Sequence, residues 1–226
     1  MKKKVLALLL VIALAVSFAA CGQKEDEKGN EEAEGTKVYV TISNAGVCEI
    51  PMQVFAVPAN EDGTLTIKDV LTAVHEAECK DGFVYDENGY ITKLWGVENG
   101  GAYGYYLNNE MAYSLDQAVS EGDYLKAYVF ADTTYWSDVY TYFDANFVEG
   151  AEVTLTLNAI SFDENWNTVV VPLEGAVITI DGVDTEYVTD ANGQVTLKGS
   201  TAGTYIVSAT SATATLVPPV AVWTVK

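Results

Sequence analysis

Hydrophobic and polar positions divide this chain into three regimes. Residues 5–16 form an almost unbroken apolar run behind Lys2, Lys3 and Lys4. Residues 22–36 then hold Gly, Gln, Lys, Glu, Asp, Asn, a Thr and a single Ala. With no aliphatic group large enough to anchor a core, and with like charges that repel and extend it, this stretch predicts a disordered tether. From Lys37 onward apolar and polar residues alternate in short runs, the two-residue period of strands. One segment breaks that period. Ile67, Val70, Leu71 and Val74 recur at helical spacing behind Thr66, a natural N-cap, with Asp69 in the first turn, where the helix dipole favours negative charge.

The first body reads as strands at 37–43 and 52–57, the helix, then strands at 83–85, 90–95, 102–107 and 124–130 between Gly- and Asn-rich turns. A strand pair, a helix and further strands predict an α+β grasp over residues 37–146. Near Asn146 the texture changes to Val, Thr, Ala and Gly with turn residues at regular intervals. Strands at 151–160, 169–171, 176–180, 194–197, 204–209 and 221–225 predict an all-β sandwich over residues 147–226. Asp190-Ala191-Asn192-Gly193 predicts a hairpin turn and lacks the carboxylate series of a calcium loop. The expected class is therefore α+β followed by all-β.

The apolar run spans about a dozen residues, where a helix crossing a bilayer needs roughly 20. Behind a basic segment, it predicts a cleaved secretory signal over residues 1–20. Phe18-Ala19-Ala20-Cys21 resembles a bacterial lipobox, with Phe18 where Leu is usual. The resemblance implies a lipid on Cys21 and a tether over residues 21–36. The protein is then expected outside the cytoplasm, held to the bacterial cell membrane by that lipid.

Charge narrows the partners. The chain has 12 basic residues, every one Lys, against 32 acidic ones, a net charge of −20. Removing the three signal lysines brings it to about −23, and phosphate contacts need clustered Lys and Arg. Nucleic acid is excluded as a partner. With Cys21 on lipid, Cys48 and Cys79 remain; one disulfide between them and two buried thiols stand as equal alternatives. His75, the only histidine, sits four residues before Cys79 on the helix, but no cysteine-protease signature surrounds the pair. No His/Cys spacing suits a metal, no catalytic group is assigned, and no cofactor is required.

Strand parity sorts the aromatics. Setting Leu125, Ala127 and Val129 toward the helix sends Tyr124, Lys126 and Tyr128 to the open face of the sheet. Setting Leu107 inward places Tyr103 and Tyr105 in the core and Tyr106 outside. Tyr106, Tyr124 and Tyr128, with Trp95, Tyr113 and Trp136 nearby, then form a flat aromatic platform for a large planar or sugar-like ligand.

Two resemblances bear on this reading. Gly89-Tyr90-Ile91-Thr92, Trp95-Gly96-Val97, Tyr105-Tyr106-Leu107-Asn108-Asn109 and Glu121-Gly122-Asp123-Tyr124 resemble the transcobalamin C-terminal-like domain of bacterial surface proteins, with Asn109 where Gly is usual. That resemblance implies a β-grasp fold and cobalamin or another corrinoid as ligand. Gly175-Ala176-Val177, Thr189 through Gly193 and Gly203 through Val207 resemble bacterial Ig-like or carboxypeptidase-regulatory-like repeats, which implies a spacer or adhesive module. Together these readings predict a non-enzymatic surface lipoprotein that captures an extracellular small molecule or glycan. The alternative is an adhesion or envelope-assembly protein that contacts other envelope proteins, with the Ig-like part as spacer.

Overall fold

A computed structural model describes residues 35–226. The expected signal peptide, the lipid expected on Cys21 and nearly all of the expected tether lie outside the described residues. Those described form seventeen strands and one helix.

The first sheet opens with β1 (Thr36–Asn44) and β2 (Val47–Val57), joined by a two-residue turn in which Ala45 and Gly46 both take positive φ, 49° and 83°. Such a turn matches the right-handed twist of the strands it joins. Helix α1 (Ile67–Glu78) follows. Its start is locked by a capping box: Thr66 Oγ1 accepts from Asp69 N, and Asp69 Oδ2 accepts from Thr66 N at 2.9 Å. Ile67, Val70, Leu71 and Val74 press on Val38, Val40, Ile42, Leu125 and Ala127 of the sheet in one core. Each such aliphatic side chain contributes roughly 1.5–3 kcal/mol on full burial, so an acid at Val70 would break this layer.

The short β3 (Val84–Tyr85) and β4 (Ile91–Lys93) pair with each other. Strands β5 (Tyr103–Leu107), β6 (Glu110–Met111) and β7 (Tyr124–Val129) complete the first sheet in the order β2-β1-β7-β5-β6. β7 lies at its centre, parallel to β1 and antiparallel to β5, and all six of its residues are buried. Gly104 is needed opposite Tyr128, because a Cβ there would meet that ring at 2.3 Å.

The second half holds β8 (Val139–Phe143), β9 (Phe147–Glu149), β10 (Glu152–Phe162), β11 (Thr168–Pro172), β12 (Val177–Ile180), β13 (Val183–Val188), β14 (Gln194–Lys198), β15 (Gly203–Thr210), β16 (Leu216–Val217) and β17 (Ala221–Val225). One sheet runs β11-β10-β8-β16 with β14 also on β10, and the other runs β13-β12-β15-β17-β9. Alternating residues of both, among them Phe143, Leu155, Leu157, Ile178, Leu197, Val207 and Trp223, share one core.

The α+β class, with a β-grasp domain followed by a β-sandwich as two arrangements, is overturned. The described part is nearly all β, 50% strand against 6% helix. The physical reason is the fate of the tyrosine-rich strands. β7 is buried by the helix on one face and by residues of the second half on the other, so the first sheet does not stand alone as a two-layer unit. Residues 139–143, which sequence patterning left without an element, supply the strand that hydrogen-bonds to both β10 and β16. The Asp190–Gly193 turn also differs from expectation. Asp190 Oδ1 accepts from Asn192 N and Gln194 N at 2.8 Å, and Gly193 N donates to Asp190 O, so the reversal is built as predicted. The flanking strands nevertheless part, β13 pairing with β12 and β14 with β10, so the turn is a corner between sheets rather than a hairpin.

Candidate functional site

Parity places the first sheet's side chains on the faces expected: Leu107, Leu125, Ala127 and Val129 lie in the helix-side core, and Tyr106, Tyr124 and Tyr128 on the opposite face. That face is closed. Tyr106, Tyr124 and Tyr128 are only 3 to 4% exposed, so the predicted open platform is corrected to a buried interface between the two halves. Tyr140 of β8 stacks on Tyr106 with ring centroids 3.6 Å apart and planes 14° from parallel, and Val217 joins them. Tyr124 packs with Met52 and Val220, and its hydroxyl donates to Thr41 Oγ1 at 2.9 Å.

Lys126 is enclosed in the same interface. Its Nζ donates to the carbonyls of Thr141 (2.8 Å) and Pro218 (3.0 Å) and lies 4.7 Å from the centre of the Tyr140 ring. Burial pushes its pKa down to about 7, an effect partly countered by the Cys48 thiol. Burial likewise pushes Tyr106 up to about 12 and raises Tyr124, Tyr128 and Tyr140. A lysine in a Tyr-Leu-Lys-Ala-Tyr strand reads as a wet face; only the covering strand makes it a buried one.

Trp95 is not part of any platform either. It is half-buried with φ 50°, its ring meets His75 edge-on at 5.5 Å, and its backbone N donates to His75 Nε2 at 3.2 Å. His75 Nδ1 is 2.7 Å from Leu71 O, so the ring donates there and accepts at Nε2. Burial lowers its pKa. With both nitrogens held by backbone, His75 has no lone pair left for the Cys79 thiol, and the pair is a packing feature of the helix end. Cys48 and Cys79 are both free thiols and half-buried. Burial pushes the Cys48 thiol up to about 11.

The two remaining predicted aromatics come together. Tyr113 and Trp136 line a cleft of about 630 Å³ with Tyr90, Tyr103 and Tyr105. Tyr113 is 84% exposed, Tyr90 71% and Trp136 57%. Each is presented by a built loop. Trp136 takes a left-handed φ of 53°, donates through Nε1 to Thr133 O at 3.2 Å and stacks against Phe130 at 5.9 Å. Its loop is tied by two carboxylates. Asp132 accepts from Ser137 Oγ and from the amides of Thr134 and Tyr135, which hold its pKa below the usual range, and Asp138 accepts from Ala131 N and Asp132 N. Tyr90 follows a turn in which Asp86 Oδ1 accepts from Asn88 N and Tyr90 N, both at 2.9 Å. On the cleft floor the Tyr103 hydroxyl reaches the carbonyls of Thr92 (2.9 Å) and Val97 (2.8 Å). At the rim Asp116 is paired with Lys68 at 2.7 Å.

Sequence reading missed Tyr90, Tyr103 and Tyr105 as cleft residues. A signal existed for Tyr90, which follows Asn88-Gly89 and so sits at a turn. Among the described residues, no cluster of three or more His, Cys, Asp or Glu could hold a metal, and no helix is long and apolar enough to cross a membrane.

No protein-family model matches the chain, and no curated protein is significantly similar to it. Among solved structures it is similar to Sidekick-1 immunoglobulin domains 1–4, at 11% identity and a TM-score of 0.25 over 85% of this chain and 50% of that one. It is also similar to the N-terminal four Ig domains of Dscam1 isoform 4.44, at 10% identity and a TM-score of 0.25 over 86% of this chain and 45% of that one. The chain thus spans about half the length of these structures or less.

Proposed function

We propose that the protein is a non-catalytic binding module held outside the cytoplasm by a lipid on Cys21, taking a ligand with flat apolar faces in the cleft of Tyr90, Tyr105, Tyr113 and Trp136. One observation carries this reading: exposed rings converge from three separate loops on one concavity. A strand tyrosine ordinarily keeps one wet edge. Rings left in water around a shared cleft of this size match the aromatic-lined concave sites that small ligands occupy. Glycans and corrinoids both have the required faces.

The test is calorimetric and fluorescence titration of the mature protein with cobalamin, cobinamide and a glycan panel. Saturable binding is expected, and it is lost in Trp136→Ala and Tyr113→Ala. No saturable binding to any compound in the panel overturns the reading. Mass spectrometry of the mature N-terminus tests the anchor separately, since an unmodified Cys21 makes the protein a secreted one.

A second reading, adhesion or envelope assembly, is favoured by the hairpin of β10 and β11. It exposes Phe162, Trp166, Val170 and Val171, with the Phe162 and Trp166 rings 6.3 Å apart. Exposed apolar patches of this kind mark contact surfaces. Loss of retention on isolated cell envelopes in Trp166→Ser would support it, and unchanged retention would remove it.

A further inference from the structure

Tyr113 lines two depressions at once. On one side is the aromatic cleft. On the other is a groove of about 490 Å³ that passes from β6 to the β10–β11 hairpin, walled by Met111, Tyr142, Ile160 and Val170. We propose that cleft and groove form one continuous track for a linear, uncharged oligosaccharide, which starts on the first half of the chain and ends on the second. The proposal rests on the reading of the aromatic cleft as a binding site.

Shape argues for a chain. Each depression is the size of a site for one small ligand, and a single exposed ring, Tyr113, is common to both. A compact ligand fills one of them; only an elongated one uses both. The lining chemistry argues for sugar. Exposed tyrosine and tryptophan faces offer flat apolar platforms for the C–H faces of pyranose rings, with polar edges left wet. Beside them stand side chains that pair with hydroxyls: Asn88 and Ser114 in the cleft, Asn109 and Thr168 in the groove. Asn109 is already oriented, because its Oδ1 accepts from the Tyr140 hydroxyl at 3.0 Å.

Charge argues for a neutral polymer. No lysine lines either depression; Asp116 in the cleft is paired with Lys68 at the rim, and Glu110 is the one carboxylate of the groove. In a chain of net charge −20 this surface repels nucleic acids and uronic or sulfated glycans. The groove also crosses the junction between the two halves, where Tyr106 and Tyr142 line it from opposite sides. The buried tyrosine interface thereby sets the alignment of the track.

The experiment is calorimetry on the mature full chain with cello- and chito-oligosaccharides from disaccharide to octasaccharide. Affinity is expected to rise at least about tenfold once the oligomer outgrows the cleft and engages the groove as a linked second site. Met111→Glu and Val170→Glu, both at exposed positions, are expected to return long oligomers to the affinity of short ones and to leave short ones unchanged. Equal affinity for short and long oligomers, or groove variants without effect, overturns the track while leaving the cleft intact, provided Trp136→Ala still abolishes binding. Binding of a corrinoid or an uncharged extended peptide without response to any oligosaccharide overturns the saccharide class and retains the cleft. No binding of any probe overturns both.

Discussion

Two groups of aromatic rings on and beside one sheet do opposite things. Tyr106, Tyr124, Tyr128 and Tyr140 are enclosed between the halves of the chain; Tyr90, Tyr113 and Trp136 stand in water around a cleft. Both groups come from the same tyrosine-rich stretch of sequence, and strand parity treats Tyr106, Tyr124 and Tyr128 as exposed. The difference teaches that a two-residue period fixes which side chains share a face but carries no information about what lies over it. Covering is a long-range event: Tyr140 reaches Tyr106 from 34 residues further along the chain, and Val217 arrives from later still.

The sharpest way to break this comparison is Tyr140→Ala. Tyr140 is buried, stacked on Tyr106 and within 6.3 Å of Tyr128. Its removal deletes the centre of the ring cluster, and large aromatic truncations in cores cost about 3–5 kcal/mol. A loss of about 4 kcal/mol in urea denaturation is expected. A cost under about 1 kcal/mol would mean that the cluster does not join the halves.

Lys126 comes next, as the polar exception in the buried group. The folded state holds its pKa at about 7, against 10.5 for an ordinary lysine. Between those values the unfolded chain binds the extra proton, so stability rises with pH, by at most about 1.4 kcal/mol per pH unit. His75, depressed below 6.5, acts in the same direction, but its effect is complete below that pH. Cys48, raised from 9.0 to about 11, opposes the rise above pH 9, and the buried tyrosines, raised above 10, oppose it further. Stability is therefore expected to climb between about pH 7 and 9, then level and fall. Lys126→Met removes the climb. Urea midpoints across that range in both proteins check it, and a flat wild-type profile would show that the buried lysine is not what strains the interface.

How much of this was legible follows the same division between local and distant. Thr66, Asp69 and the Ile67-Val70-Leu71-Val74 stripe announce α1 because capping and amphipathicity are local. The Asp190–Gly193 reversal is local too, but its strands choose partners in different sheets, which no turn motif encodes. Residues 139–143 alternate as Val-Tyr-Thr-Tyr-Phe, a strand signal hidden among other tyrosines. Of the aromatics that parity and proximity single out, Tyr113 and Trp136 line the cleft, and Tyr106, Tyr124, Tyr128 and Trp95 do not. Exposure of the former depends only on loops, whereas burial of the latter depends on elements that arrive later in the chain.

Tyr113→Ala carries the smallest expected effect on stability and sharpens the contrast most. A ring 84% exposed buries little apolar area, so its removal should change stability by no more than about 0.5 kcal/mol, as exposed substitutions generally do. Its loss from a binding cleft is a different matter, because a central aromatic anchor is worth about 2 kcal/mol or more, roughly thirtyfold in affinity. The expected pattern is thus the reverse of that for Tyr140→Ala: an unchanged urea midpoint with binding lost. A midpoint that falls as far as in Tyr140→Ala would make Tyr113 a structural ring. An unchanged midpoint with unchanged binding would make it an ordinary tyrosine at the margin of a sheet, and the exposed group would then have no function that the buried group lacks.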